Sequence, residues 1–302
     1  MPLLATALAG EGIRILRSNR MFADLTDVRC YYELRGTGDP LVLVPGLGAT
    51  SAVWDAVAGK LAESFCLILV DNRGVGRSVP KRPAMSLQDF AADLVELLDH
   101  LQLPRAHIMG LSLGGMIAQQ FARDHPSRVD RLVLVSCTDR FSPYLREITK
   151  LLGHALRYFP QEVFHRTVAL LGTAPEFLDA HQAEVDRKIA SDGQNGILPS
   201  AVARQLRCLA RHDREEERPD RVAAPTLVIA GAQDNLIPAC YARRMAQQIP
   251  ESEFLLVPAC GHNPFVERPS TVLPRIVEFL MASRGGDRLP TAESQLALET
   301  AL

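Results

Sequence analysis

A chain of 302 residues, 47% hydrophobic and 23% charged, carries enough apolar surface for one large domain or a domain with a sizeable insertion. A net charge of −2 with no basic stripe speaks against a nucleic-acid partner. No run approaches the ~18 apolar residues of a membrane helix, and "MPLLATALAGEGIRILRSNR" lacks the basic start of a signal peptide.

The expectation is therefore a soluble cytoplasmic protein with no membrane partner. Cys30, Cys66, Cys137, Cys208, Cys240 and Cys260 are scattered with no CxxC pair, so neither a disulfide frame nor a metal cluster is expected.

Residues 1–25 read as an N-terminal extension, although "MFADLTDV" and "RCYYELRG" outline an antiparallel start leading towards residue 41. Then come short, nearly continuous apolar runs: "LVLVPG" (41–46), "CLILVDN" (66–72), "AHIMGLS" (106–112), "RLVLVSC" (131–137), "TLVIAG" (226–231) and "EFLLVP" (253–258). Continuous apolarity without alternation is the pattern of strands covered on both faces. Between them, "SAVWDAVAGKLAES", "SLQDFAADLVELLDHL", "MIAQQFARDHP" and "YARRMAQQIP" place apolar residues three and four apart, as helices do. Ser86 followed by Asp89 is an N-cap pattern for the second of these.

Strand and helix in alternation predict an α/β fold, a mostly parallel central sheet flanked by helices. The core is expected over 26–137 and 222–283. Residues 138–221 hold only helix-like stretches, an inserted helical cap or lid. Residues 284–302, polar with two glycines, read as a mobile tail.

Chemistry concentrates at the ends of these strands. Ser112 in "GLSLGG" sits where a strand-like run meets a helix-like one, a turn that exposes a hydroxyl at the C-terminal edge of the sheet. A serine needs a base, and the base needs an orienting acid. His262 in "VPACGHNPFVERP" follows the last strand run and lies at that same edge. The other histidines fall at helix ends (His100, His125), in a strand run (His107) or in the cap (His154, His165, His181, His212). Asp234 in "TLVIAGAQDNLIP" precedes His262 by 28 residues, about one βα unit, and is the candidate acid; Asp139, just past "LVLVSC", is its rival.

The glycine loop "VPGLGAT" supplies the backbone N–H of Leu47, which with that of Leu113 forms a candidate oxyanion hole, worth about 3–4 kcal/mol per donor in one measured case. Asp71 and Arg73 in "DNRGVGRS" read as loop braces. Trp54, Phe141, Tyr144, Tyr158, Phe159 and Phe177 are candidate walls for a substrate.

With these motifs in order, the chain resembles a serine-type α/β-hydrolase from about residue 28 to 283. The resemblance rests on "GLSLGG", "GAQDNLIP", "GHNPFVERP", "PGLG" and "DNRGVGRS", in the family's own order of Ser, Asp and His. Pro45 is a departure, because many members carry His before that glycine. "GLSLGGMIAQQFARDHPSRVDRLVLVSC" and "RCLARHDREEERPDRVAAPTLVIAGAQDNLIP" are similar to 3-oxoadipate enol-lactonases and their carboxylesterase relatives. The resemblance implies a cofactor-independent, metal-free serine hydrolase that cleaves a small-molecule ester or lactone through an acyl-enzyme. Two alternatives stand beside it: a hydrolase of carbon–carbon bonds in β-diketone-like substrates, and a ligand-binding receptor on a hydrolase fold.

Overall fold

The computed structural model describes residues 15–194, 199–211 and 219–282. The expected tail at 284–302 lies outside the described residues, as do residues 1–14.

The sheet is built from β1 (Ile15–Asp24), β2 (Val28–Gly36), β3 (Asp39–Val44), β4 (Phe65–Val70), β5 (Val79–Pro80), β6 (Ala106–Leu111), β7 (Val129–Val135), β8 (Thr226–Gly231) and β9 (Ser252–Val257). Their order is β1-β2-β4-β3-β6-β7-β8-β9, with the short β5 paired to β2. From β4 to β9 all pairings are parallel, whereas β1, β2 and β5 add antiparallel neighbours at one edge. The sheet thus begins inside the stretch read as an N-terminal extension. β1 contains "RSNR" and among the described residues pairs only with β2, so it shows none of the apolar continuity of the central strands.

Every residue of β4, β6 and β8 is buried, as a sheet covered on both faces requires. Alternate residues feed two cores. Val42, Ile68, Ile108, Leu134 and Val228 pack with α2 (Leu87–His100), α3 (Leu113–Asp124) and α8 (Ala239–Gln248). Leu41, Leu67, Met109, Val133 and Leu227 pack with α1 (Asp55–Leu61) and α10 (Pro269–Met281), which follows the short α9 (Pro264–Glu267). Helix α2 starts as expected, its Asp89 carboxylate accepting the Ser86 N–H at 3.0 Å.

Among the described residues four α-helices lie between β7 and β8: α4 (Pro143–Tyr158), α5 (Gln161–Gly172), α6 (Pro175–Gln194) and α7 (Pro199–Arg211). The strand order reverses between β3 and β6, which are neighbours although β4 lies between them in sequence. Such a reversal opens a crevice at the C-terminal ends of the strands. No helix among the described residues is long and apolar enough to cross a membrane.

Candidate active site

Ser112 stands at that crevice, between the last residue of β6 and the first of α3, with φ 57° and ψ −120°. Its own N–H donates to the Val135 carbonyl (2.8 Å), while its carbonyl accepts the N–H groups of Gly115 (2.9 Å) and Met116 (3.2 Å). The strained turn is therefore held from both sides. The flanking glycines have a steric cause: a Cβ on Gly114 would collide with the Val44 carbonyl oxygen, and one on Gly110 with the Gly114 carbonyl. Only glycine lets β3, β6 and α3 approach this closely.

Asp234 follows β8 in a turn that satisfies its whole carboxylate. Oδ1 accepts the N–H groups of Leu236 (2.8 Å) and Ile237 (2.9 Å), and Oδ2 lies 2.7 Å from Nδ1 of His262. The side chain is fully buried. His262 follows β9 and retains 15% side-chain exposure. Burial disfavours its imidazolium, but the charge and hydrogen bond of Asp234, with a further contribution from Glu267, outweigh that and raise its pKa above the ordinary 6.5. With Nδ1–H given to Asp234, Nε2 is the ring's acceptor. The rival acid is engaged elsewhere: Asp139 is buried and pairs with Arg244 at 2.7 Å.

The loop after β3 packs against the serine, since a Cβ on Gly46 would sit 3.3 Å from Ser112 Cβ. Pro45 contributes a carbonyl in place of any side-chain bond and accepts from Asn72 Nδ2 at 2.9 Å. At the other end of the loop the Gly48 N–H donates to Gln205 Oε1, on α7, at 2.8 Å. Asp71 braces the same region by accepting the N–H groups of Ser51 (2.7 Å) and Arg77 (3.0 Å). Arg73 is buried and holds Asp93 through Nε (2.8 Å) and Nη2 (2.5 Å), so it supports the loop from beneath. Both residues brace, as the sequence implies.

A further carboxylate, Glu267, joins the histidine loop to the helices above it. It accepts the N–H of Gly261 (2.9 Å) and of Ala174 (3.0 Å), between α5 and α6. Burial pushes its carboxyl up, and those N–H bonds only partly offset the effect. The His262 N–H donates to the Gly172 carbonyl (2.6 Å), and that of Asn235 to Leu171 (3.0 Å), so the end of α5 is stitched to both loops.

A cavity of about 520 Å3 opens over these groups, and Leu47, Ser112, Leu113 and His262 all line it. Of the aromatic residues expected at its wall, Phe141 and Phe177 are there. Trp54 instead packs in the core, edge to face with Phe265 at 5.2 Å. Tyr144 donates its hydroxyl to the Asn235 carbonyl (2.7 Å), and Tyr158 and Phe159 face solvent. Phe164 and His165 line the cavity from α5 without having been singled out in the sequence. Gln205 and Glu267 also escape a sequence reading; the one signal was the position of Glu267 inside "GHNPFVERP". Among the described residues no group of three His, Cys, Asp or Glu side chains is placed to hold a metal ion.

The sequence profile of a family described as alpha/beta hydrolase fold matches residues 39–269. A methyl ester esterase of pimeloyl-[acyl-carrier protein] from Yersinia enterocolitica is 33% identical over 261 residues, 84% of this chain and 98% of its own length. RutD of Caulobacter segnis, provisionally named a carbamate hydrolase, is 30% identical over 82% of this chain and 95% of its own. The crystal structure of an enol-lactonase from Burkholderia xenovorans LB400 superposes with a TM-score of 0.78, covering 87% of this chain and all of that one. At 22% identity, that last likeness is one of fold.

Proposed function

This chain belongs to the alpha/beta hydrolase fold family, and from that premise we propose that it hydrolyses a carboxylic ester or lactone of a small molecule without a cofactor. The observation that carries the reading is the 2.7 Å contact between His262 Nδ1 and Asp234 Oδ2, beside a serine held at positive φ on the same cavity.

In this reading His262 Nε2 takes the Ser112 proton as Oγ attacks the substrate carbonyl. Asp234 fixes the tautomer and stabilises the imidazolium that forms. The N–H groups of Leu47 and Leu113 receive the developing oxyanion. The alcohol leaves with the proton from His262, giving an acyl-enzyme. Water, deprotonated by the same imidazole, then releases the acid and restores Ser112. The name of the relative that acts on a methyl ester supports this bond class.

The test is turnover of p-nitrophenyl esters, alkyl esters and lactones by wild type and Ser112→Ala, with a β-diketone as the probe for carbon–carbon cleavage. Expected are ester or lactone hydrolysis lost in Ser112→Ala and a fluorophosphonate adduct on Ser112. Equal turnover by the two proteins, or an adduct on another residue, would overturn the reading.

A further inference from the structure

The cavity's lining points to what the site accepts. From α4, Leu145, Ile148 and Leu152 present one face to it, and α5 adds Phe164. From α7 come Leu206 and Leu209. Thr149 lies among them, but its hydroxyl already donates to the Leu145 carbonyl at 2.8 Å. The walls over Ser112 therefore offer a substrate mostly hydrocarbon.

Charge is arranged the other way round. Glu184 and Lys188, four residues apart on α6, are the solvent-exposed charged members of the lining and have opposite signs. Among the described residues no arginine lines the cavity, and its other ionisable members besides Glu267 are the imidazoles of His165 and His262. The carboxylates close to the reacting centre, Asp234 and Glu267, are both buried. An anionic group on the substrate would lose its water without gaining a buried cationic partner, and it would face two negative charges.

Size narrows the class further. At roughly 30 Å3 per water-sized group, a cavity of about 520 Å3 holds well over ten non-hydrogen atoms, far more than an acetyl or methyl ester brings.

We infer that the substrate is an uncharged ester or lactone bearing a medium-length hydrocarbon group, which lies under α4, α5 and α7, and that an ester with a free carboxylate at the far end is rejected. This rests on the hydrolase reading above. Each methylene transferred from water to such walls is worth up to about fourfold in kcat/KM.

The experiment compares methyl acetate, butyrate, hexanoate and octanoate with the monomethyl ester of an eight-carbon diacid, on the full chain. The expected result is a rise of at least tenfold from acetate to octanoate, and a loss of at least a hundredfold when the far end carries a carboxylate. Leu152→Trp, checked for folding by circular dichroism, should lower the octanoate-to-butyrate ratio at least tenfold. A flat chain-length profile, or a preference for the diacid monoester that Lys188→Ala abolishes, would overturn the inference while leaving the hydrolase reading intact. If no ester or lactone is turned over, or if Ser112→Ala is as active as wild type, both fall together.

Discussion

Gln205 accepts the N–H of Gly48 at 2.8 Å and so fastens α7 to the loop that carries Leu47, across 157 residues of chain. Its side chain is buried, and its Nε2 finds no partner among the described residues. The acceptor end is thus the part that matters. Gln205→Leu should strand a buried N–H, costing about 1–3 kcal/mol of stability, and free the loop proposed to receive the oxyanion. We expect kcat to fall about tenfold with KM changed little, because an oxyanion donor acts in the transition state. Gln205→Glu keeps an acceptor and should melt closer to wild type. Steady-state kinetics and thermal melts on the three proteins decide; an unchanged kcat in Gln205→Leu would sink the link.

The raised pKa of His262 sets the acid side of the pH profile. In the proposed mechanism only the neutral ring accepts the serine proton, so kcat/KM should climb with a midpoint above the ordinary 6.5. Asp234→Asn removes the charge that raises it. The midpoint should then move to lower pH, and in the proposed mechanism the plateau should fall by about 10^4-fold, as for the corresponding change in a Ser-His-Asp protease. The stability sign follows from the same shift: the folded state favours the imidazolium, so this contribution is complete below 6.5 and fades as pH rises through the folded pKa. A midpoint that stays put in Asp234→Asn would count against the pairing of these two residues.

Backbone strain at Ser112 makes a separate, directional prediction. At φ 57° and ψ −120° any residue with a Cβ is held in a sparsely populated region, at a cost of about 1–3 kcal/mol. Ser112→Gly should relieve it, while glycine's greater freedom when unfolded returns up to ~1 kcal/mol. The net expectation is a gain of roughly 1 kcal/mol, about 2 °C in Tm, in a protein with no activity. Ser112→Ala keeps the Cβ and should melt near wild type. Thermal melts that rank alanine above glycine would contradict the strain.

Much of this arrangement was legible in the sequence because of one geometric regularity. Ser112, Asp234 and His262 each follow a parallel strand, fully buried for the first two and partly buried at the sheet's edge for the third, and such strands announce themselves as continuous apolar runs. Where that regularity fails, the reading fails with it. Among the described residues β1 has one neighbour, and it carries polar residues, so it lies inside a stretch that reads as an extension. Trp54 is a candidate wall residue in the sequence, yet it packs in the core. Whether it faces the cavity or the core depends on the three-dimensional course of the chain after β3, which leaves no periodic trace. Gln205 looks like the polar side of an amphipathic helix, and only the approach of Gly48 from a distant strand makes it a buried acceptor. The glycines around Ser112 mark a tight turn in the sequence, but the crowding that Gly114 relieves comes from Val44 on β3, a neighbour the motif does not contain.

Glu267 separates charge from hydrogen bonding at the histidine loop. One of its oxygens, Oε2, accepts both the Gly261 and Ala174 N–H groups, so the carbonyl of a glutamine can replace it. Burial raises the carboxyl's pKa above its ordinary 4.5, so the folded state favours the protonated form. That contribution is complete below 4.5 and is lost as pH rises through the folded pKa, above which the buried carboxylate is the less favoured form. Glu267→Gln should therefore match or exceed wild-type Tm at pH 8, with the difference narrowing towards pH 4.5. Glu267→Leu leaves two buried donors unmet and should lose about 1–3 kcal/mol for each. The charge of Glu267 also helps to raise His262, so in the glutamine variant the acid limb of kcat/KM should shift to lower pH. A glutamine variant as unstable as the leucine one would mean that the charge, and not the pair of accepted N–H groups, holds this loop.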